Sequence, residues 1–446
     1  MAEKDLVRLD RKLASSIVKL KRNDDYYEGE QPLKYMAPAL EKEVGDRIAQ
    51  LVINWPRLVA DAFEARLDIE GFRYRGSESS DEELWNVWQA NDLDEQSQQA
   101  HLDSIALSRS YVVVGSGDDD GDPPLVTVES PFQVFAERDP RTRKVSAAIK
   151  RWADEDPDVP VQYATLYLPD VTESFVWEPK RKLWVSYSKD PHELGKVPVH
   201  PLVNRPRVLR PDGLSEFHDV LPIADAANKM ATDMMVSAEF HAMPRRWAFG
   251  LKESDFVDES GRPVSTWSMI AGRLWANESK DVSVGQFPEA DLTVFHNSIK
   301  LLAQLASQMA ALPPHYMSFT SDNPASADAI NGTEAQLVKK AERKQTYLGG
   351  GWEDAQRTVL RIMKGKWDVE ARTLETMWRD PSTPTISSKA DAVTKLASGD
   401  RPIVPVEQAR EDLGYSPEQR KRMLEMDGRA RSNPDIERLT RSVNGE

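Results

Sequence analysis

Residues 291–314, DLTVFHNSIKLLAQLASQMAALPP, contain the pattern that organises the rest of the chain. Apolar side chains recur there at alternating spacings of four and three residues, which is typical of a helix with one narrow apolar stripe. The stripe consists of Phe295, Ile299, Leu302, Ala306 and Met309. We expect Asp291 to cap this helix and Pro313-Pro314 to end it, because proline cannot continue a helix.

A second helix with similar spacing precedes it. We predict it over 213–243, with Ser215 as N-cap and Pro244 as its end. Its apolar stripe consists of Ile223, Ala227, Met230, Met234 and Ala238. The two stripes could pack against each other in an ordinary helical hairpin, or against neighbouring copies in an assembly. The segment 244–288 between the helices is expected to be irregular or β, with aromatic residues among Gly and Pro.

The remaining patterns predict an α+β fold. Helices are expected over 3–22, near 38–50, over 57–67 and over 81–109. Short strands are expected at YVVVGS and LVTVES, on either side of the turn GDDDGDPP, and at 143–152, 161–168, 173–178 and 182–187. A long helix is expected over about 332–365, interrupted at Gly349–Gly351. Short helices follow near 387–397, 405–412 and 416–427, and the residues from about 429 are expected to be mobile.

Composition narrows the class of protein. The chain has 446 residues, a net charge of −15 and no cysteine. Disulfides and thiolate sites are therefore excluded, which fits assembly in a reducing cytoplasm. An acidic chain is a poor candidate for tight, nonspecific DNA binding, although DNA could pass it without being held, and solubility alone would also explain the charge. We expect no membrane partner, because no long uncharged apolar run and no secretory signal is present.

Enzyme signatures give no support for catalysis. The chain has no Gly-rich phosphate loop ending in Gly-Lys-Ser or Gly-Lys-Thr, no Gly-x-Ser-x-Gly elbow and no His-Glu-x-x-His motif. We therefore predict no catalytic, cofactor-binding or metal-binding residues. The acidic run at 118–122 could hold a cation, but it lacks the spacing of a calcium loop and is better explained as a solvated turn. Two convergent carboxylates, as in a glycoside hydrolase, stay open as an alternative.

A family resemblance rests on residues 323–345, NPASADAINGTEAQLVKKAERKQ, with Ser326-Ala327-Asp328-Ala329-Ile330 at the centre. YYEGEQPL (26–33), NWPRLVADAFEARLDIEGFR (54–73), GLSEFHDVLPIADAANKMATDMM (213–235), and KADAVTKL and PVEQAREDLGYSPEQ in the tail agree in the same order. In these stretches the chain resembles the portal proteins of tailed bacteriophages, particularly those of actinobacterial phages.

The resemblance implies the phage portal fold. The wing would cover 1–212, the first stem helix 213–243, the clip 244–288 and the second stem helix 289–313. A tunnel loop would follow at 314–330, a long helix returning to the wing at 331–366, and a helical crown with a mobile tail at 367–446.

The resemblance also implies roles for particular residues. The DNA-facing tunnel loop would include Ser318, Thr320, Ser321, Asp322, Asn323, Ser326 and Asp328. The clip would present Arg245, Arg246 and Trp247 to the packaging motor or to DNA. Stem packing would use Met230, Met234, Phe295, Ile299, Leu302 and Met309. Each set also has a simpler explanation: a solvated loop, surface charges that complement a helix C-terminus, and a hairpin within one chain.

The implied function is structural. By resemblance, twelve copies would form a ring that conducts double-stranded DNA at one capsid vertex of the virion, after assembly in the host cytoplasm. The expected partners are other copies of the chain, the terminase large subunit, the major capsid and scaffolding proteins, and head-completion or adaptor proteins. The alternatives are another head-to-tail adaptor or minor head protein and, from a different class, a carboxylate-based hydrolase.

Overall fold

The structure, a computed structural model, describes residues 2–34, 51–77, 80–117, 119, 121–154, 161–242, 246–249, 283–286, 291–317, 327–382, 395–397, 403–415 and 417–431. The helix predicted near 38–50, most of the one near 387–397, and the tail from residue 432 lie outside these ranges. In the parts described, no helix is both long and apolar enough to cross a lipid bilayer.

Among the described residues, the N-terminal part contains the helices α1 (Ala2–Glu28), α2 (Trp55–Glu64), α3 (Glu82–Ala90) and α4 (Leu93–Leu107). Asn54 caps α2 by accepting a hydrogen bond from the Arg57 amide, and Pro56 occupies its first turn. The single helix predicted over 81–109 is two helices. The chain turns at Asp92, in the left-handed region with φ 51°, and Asn91 binds the Pro124 carbonyl and the Val126 amide. That contact connects the turn to the neighbouring strand.

The strands form two antiparallel sheets in the middle of the chain. β2 (Arg109–Gly115), β3 (Leu125–Glu129) and β9 (Val199–Val203) make one sheet in the order β3-β2-β9. β4 (Val134–Arg138), β5 (Val145–Ala153), β6 (Gln162–Tyr167), β7 (Thr172–Glu178) and β8 (Leu183–Asp190) make the other, in chain order. Leu6, Leu9 and Leu13 of α1 are buried in a cluster with apolar side chains of the five-stranded sheet. The helix α1 therefore covers the apolar face of this sheet.

A further strand pair joins distant parts of the chain. β1 (Ile69–Tyr74) pairs antiparallel with β12 (Leu374–Trp378), with Phe72 opposite Thr376. Neither strand is predicted by a local pattern, and the resemblance implies a helical region over 367–446. Each strand is only five or six residues long and its partner lies about 300 residues away, so no local signal marks the pairing.

The C-terminal half is mainly helical. It contains α5 (Leu221–Ala242), α6 (Thr293–Ala310), α7 (Ala327–Lys364), α8 (Val406–Asp412) and α9 (Pro417–Arg431). Between α5 and α6, β10 (Arg246–Phe249) pairs antiparallel with β11 (Ser283–Gln286). The helix α5 begins at Leu221 and not at Ser215, since Pro222 suits a first turn and Ser215 and Glu216 are buried in the preceding turn.

The glycine triplet does not interrupt the long helix, contrary to the sequence prediction. Residues 349–351 are helical within α7. A Cβ added at Gly351 would lie 2.6 Å from Leu202 Cδ2 and 2.9 Å from the Pro201 carbonyl oxygen, whereas Gly350 faces open space. Glycine at 351 therefore lets the helix approach β9 closely, and this contact compensates for the low helix propensity of glycine.

The centre of the main core is polar as well as aromatic. Trp88 and Trp352 meet edge to face with ring centroids 5.0 Å apart, and the Trp352 indole donates a 2.9 Å hydrogen bond to His101 Nε2. Burial lowers the pKa of His101 to about 3. Burial likewise lowers the pKa of His200, beside Thr358, to about 4. Both rings are therefore neutral at pH 7, as their buried positions require.

Candidate functional site

The two helices with apolar stripes pack against each other. Their contact uses small side chains: Ala303, Ala306, Ser307 and Ala310 are the buried residues of α6, and Ala224, Ala227 and Ala231 are buried on α5. Small residues on facing surfaces allow two helix axes to come close together. The predicted stem residues border this contact, with Met230, Met234, Phe295, Ile299 and Leu302 all half-buried.

A second apolar face of α6 points away from the chain. Val294, Leu301, Leu305 and Met309 are exposed, with Leu301 at 57% and Met309 at 56%. Their spacings of seven, four and four residues place them on one side of the helix. Met309, which the sequence analysis grouped with the single stripe, belongs to this outward face. The other three members were not singled out from the sequence.

One buried carboxylate joins both of these helices to the long helix. Glu216 precedes α5 and binds the Lys344 ammonium of α7; their side chains are 2% and 5% exposed. Lys344 Nζ also donates a 2.6 Å hydrogen bond to Asn204 Oδ1. Lys340, one turn earlier on α7, lies 3.6 Å from Glu216 and donates a 2.9 Å hydrogen bond to the Ala310 carbonyl, at the end of α6. The group of Glu216, Asn204, Lys340 and Lys344 is referred to below as the stem junction.

Charge balance in the stem junction favours an ionised carboxylate. Burial on its own would raise the pKa of Glu216, but the nearby charges of Lys344, Lys340 and Arg205 outweigh burial, and the pKa is lowered. Burial lowers the pKa of the Lys344 ammonium, and the attraction of Glu216 opposes that effect only in part. The junction is thus a desolvated ion pair, which depends on both partners being present.

The sequence analysis missed the stem junction, although a signal exists. Lys344 lies on the buried stripe of α7 between Leu337, Ala341 and Leu348, which are all fully or almost fully buried. A lysine at helical spacing inside an apolar stripe predicts a buried partner, because an unpaired ammonium in a core is costly. Sequence cannot identify the partner, since Glu216 lies 128 residues away.

A second polar contact holds both ends of the segment between α6 and α7. The Arg66 guanidinium donates a 3.2 Å hydrogen bond to the Tyr316 hydroxyl and lies 3.5 Å from Glu334. Tyr316 ends a short 3₁₀-helix, Pro314–Tyr316, just after α6, while Glu334 belongs to the start of α7. A single side chain just after α2 therefore contacts Tyr316, near the start of the predicted tunnel loop, and Glu334, which follows it.

Of the seven predicted tunnel-loop residues, the structure describes Asp328 alone. Ser318, Thr320, Ser321, Asp322, Asn323 and Ser326 lie outside the described residues. Asp328 lies in α7 and not in a loop, because the helix begins at Ala327. The sequence Ala327-Asp328-Ala329 suits a helix start, since alanine has high helix propensity and a carboxylate is favoured in the first turn.

The predicted clip residues are described only in part. Arg245 lies outside the described residues, while Arg246 and Trp247 belong to β10 and pair with Gln286 and Gly285 of β11. The antiparallel pairing brings residues 246–249 next to residues 283–286.

Comparison with known proteins identifies the family. A family model described as phage portal protein, SPP1 Gp6-like, matches residues 8–411. The portal protein of Mycobacterium phage D29 is 37% identical over 417 residues, which cover 92% of this chain and 85% of that protein. The portal protein of Mycobacterium phage L5 is similar to the same extent. The match includes α5, α6, the stem junction and α7, and the chain therefore belongs to the SPP1 Gp6-like family of phage portal proteins, which are structural components of the virion.

Proposed function

We propose that this chain assembles into a closed ring, of twelve subunits, around a channel for double-stranded DNA at one capsid vertex. The observation that carries the proposal is the second apolar face of α6. Val294, Leu301, Leu305 and Met309 extend over nearly the whole length of α6, and their exposure in an isolated chain is unfavourable. A neighbouring copy would remove this face from water. Single apolar residues scattered over an ordinary surface do not require such burial.

The channel role is supported by the charges near the helix pair. Between Leu292 and Leu312, α6 and its ends have one ionisable side chain apart from histidine, Lys300. DNA carries about one negative charge per 1.7 Å of its axis, so a conduit with many cations would retain it. We infer that the segment after α6 lines the narrowest point and contacts DNA through weak polar contacts. Its test is Ser321→Lys with Asn323→Lys, which should slow packaging and ejection; unchanged rates would contradict a channel-facing loop.

We propose the remaining roles by analogy with the family. Residues 1–212 would act as the wing, α5 and α6 as the stem, 244–288 as a clip that presents Arg245, Arg246 and Trp247 to the terminase large subunit, and 367–446 as the crown. The ring would nucleate the procapsid with major capsid and scaffolding proteins and later hold head-completion or adaptor proteins. Its action is conformational, without catalysis.

Ring formation can be tested directly. Purified chain at micromolar concentration should give rings with a central hole by negative-stain microscopy and a matching mass by native mass spectrometry. Leu305→Asp should lower the ring fraction at least tenfold, because it places a charge in the buried face of the assembly. Gln304→Asp is the matched control, since Gln304 is exposed on α6 but lies about 100° away around the helix. Monomers alone at all concentrations would contradict the proposal.

A further inference from the structure

A short finger projects from the body between β9 and α5. Residues 205–212, RPRVLRPD, turn back on themselves, with reciprocal backbone hydrogen bonds of 3.1 and 2.8 Å between Arg207 and Arg210. The two aliphatic side chains at the tip are highly exposed to solvent: Val208 is 75% and Leu209 is 94% exposed. The side chains of Arg207 and Arg210 flank the tip and are also exposed.

The finger is held rigidly at its base. The Asn204 side chain donates a 2.8 Å hydrogen bond to the Leu214 carbonyl, and the Leu214 amide donates to the Asn204 carbonyl at 3.0 Å. Arg205 binds Asp219 at 3.0 Å. Gly213 closes the base with φ 75°, and an added Cβ would lie 2.2 Å from the Asn204 oxygen. The tip is therefore presented in a fixed position, which lowers the entropy cost of binding.

A cleft of about 1160 Å³ lies elsewhere on the same chain. Its lining includes the apolar side chains of Leu67, Ile69, Trp85 and Leu424, contributed by the end of α2, β1, α3 and α9. Six carboxylates and four cationic side chains also line it, which leaves a formal charge of −2. The lining is mainly polar, but its four apolar side chains and its net negative charge complement a Val-Leu tip flanked by two arginines.

Finger and cleft lie at opposite ends of α4. The base of the finger is bonded to the C-terminal end of this helix, where the Asn204 amide donates to the Ser108 carbonyl at 2.9 Å. The cleft is lined at the N-terminal end of α4 by Asp94, Ser97 and Gln98. Eleven residues of helix, roughly 16 Å, separate Ser97 from Ser108. The finger therefore does not reach the cleft of its own chain.

We propose that the finger of each subunit docks into the cleft of the next copy in the ring. Rings of more than two subunits need a heterologous interface, made by two different and complementary surfaces on each chain. The two surfaces described here satisfy that requirement, and an acidic chain with a net charge of −15 suits a basic finger. DNA is the less suitable occupant, because phosphates offer nothing to an aliphatic tip. This inference rests on the proposed ring and adds which surfaces hold it closed.

Cysteine cross-linking tests the docking, since the native chain has no cysteine. Leu209→Cys places a thiol on the tip, and Asn86→Cys places one at the cleft, where Asn86 is exposed. With a short bismaleimide, the double variant should give a ladder of covalent multimers up to the ring size. A mixture of the two single variants should stop at dimers, because each chain then offers one reactive site. Leu209→Cys with Val369→Cys is the matched control; Val369 is 68% exposed and does not line the cleft.

The outcomes separate this inference from the proposed function. Rings in the microscope together with a ladder for the Leu209/Asn86 pair, at least tenfold stronger than for the control pair, support the docking. Rings without such a ladder, or with equal ladders for both pairs, overturn the docking and leave the ring intact. A wild-type chain that stays monomeric overturns both. As a second measurement, Leu209→Asp should reduce the ring fraction while Val369→Asp leaves it unchanged; equal effects would contradict a specific finger.

Discussion

Replacing Lys344 by methionine is expected to destabilise the fold by about 3–5 kcal/mol, because a buried carboxylate would lose its cation. The Glu216 side chain is 2% exposed, so water cannot take the place of the ammonium. Lys340, 3.6 Å away, and the Asn204 amide, 3.3 Å away, stay beside the carboxylate in the variant. Their presence favours the lower end of the range.

The assay is urea unfolding followed by tryptophan fluorescence, with Lys339→Met as the control. Lys339 is on the same helix, but its side chain is 68% exposed, so its loss should change the free energy of unfolding by less than about 0.5 kcal/mol. The double variant Glu216→Gln, Lys344→Met should be less destabilised than the sum of the single variants, because it contains no unpaired buried charge.

The pH dependence gives a second readout. The pKa of Glu216 is lowered in the folded chain, so the ion pair stabilises above the unfolded pKa of about 4.3 and is lost as the pH falls through the folded value. In Lys344→Met the Glu216 carboxylate has lost its main cation and gains from protonation, so the stability gap to wild type should narrow from pH 7 to pH 5. A gap below about 1 kcal/mol, or one that is equal at both pH values, would refute the reasoning.

Three further predictions concern the core and the loop ends. Gly351→Ala should destabilise by about 1–3 kcal/mol in urea unfolding through its clash with β9, whereas Gly350→Ala, which faces open space, should stabilise slightly; equal effects would contradict the close packing. The pKa of His101 is lowered to about 3, so neutral His101 contributes fully to the free energy of unfolding above about pH 6.5. This contribution falls on acidification, by about 2 kcal/mol at pH 5. His101→Gln should therefore reduce the change in the free energy of unfolding between pH 7 and pH 5, and an unchanged slope would contradict this. Arg66→Met should speed amide hydrogen exchange at 312–317 and 330–337 relative to wild type, and unaltered exchange would show that the arginine does not hold these ends.

Local patterns predicted the elements whose signals are local. The spacing in 291–314 placed α6 within about three residues at each end. The N-cap position is taken by Leu292 and not by Asp291, although Asp291 accepts a hydrogen bond from the Thr293 amide. The strands β2 and β3 around the acidic turn also agree with the prediction. These signals depend on periodicity and turn chemistry, which neighbouring residues determine by themselves.

Other features depend on residues far apart in the chain. Neither β1 nor β12 has a strand signal strong enough to predict without the other. The helical state of Gly349–Gly351 depends on the surface of β9, which the triplet itself does not show. The sequence also does not show that α6 has two apolar faces. One face has small side chains and the other has large ones, and together they give a spacing similar to that of a single stripe. On α6 the alanines Ala303, Ala306 and Ala310 are buried, whereas Leu301 and Leu305 are exposed. This difference in burial cannot be read from the spacing.

The length of α7 has a mechanical consequence. Its 38 residues form a rod of about 57 Å. The contacts of Lys344 with Glu216 and Asn204 hold this helix close to its midpoint, where it could pivot. The arm towards Ala327 measures about 26 Å and the arm towards Lys364 about 30 Å. A tilt of about 5° around Lys344 would move the two tips by roughly 2 to 3 Å in opposite directions, by the same rise per residue. If the end at Ala327 faces the channel, as proposed above, a displacement there would reach the end at Lys364 with similar size and in the opposite direction.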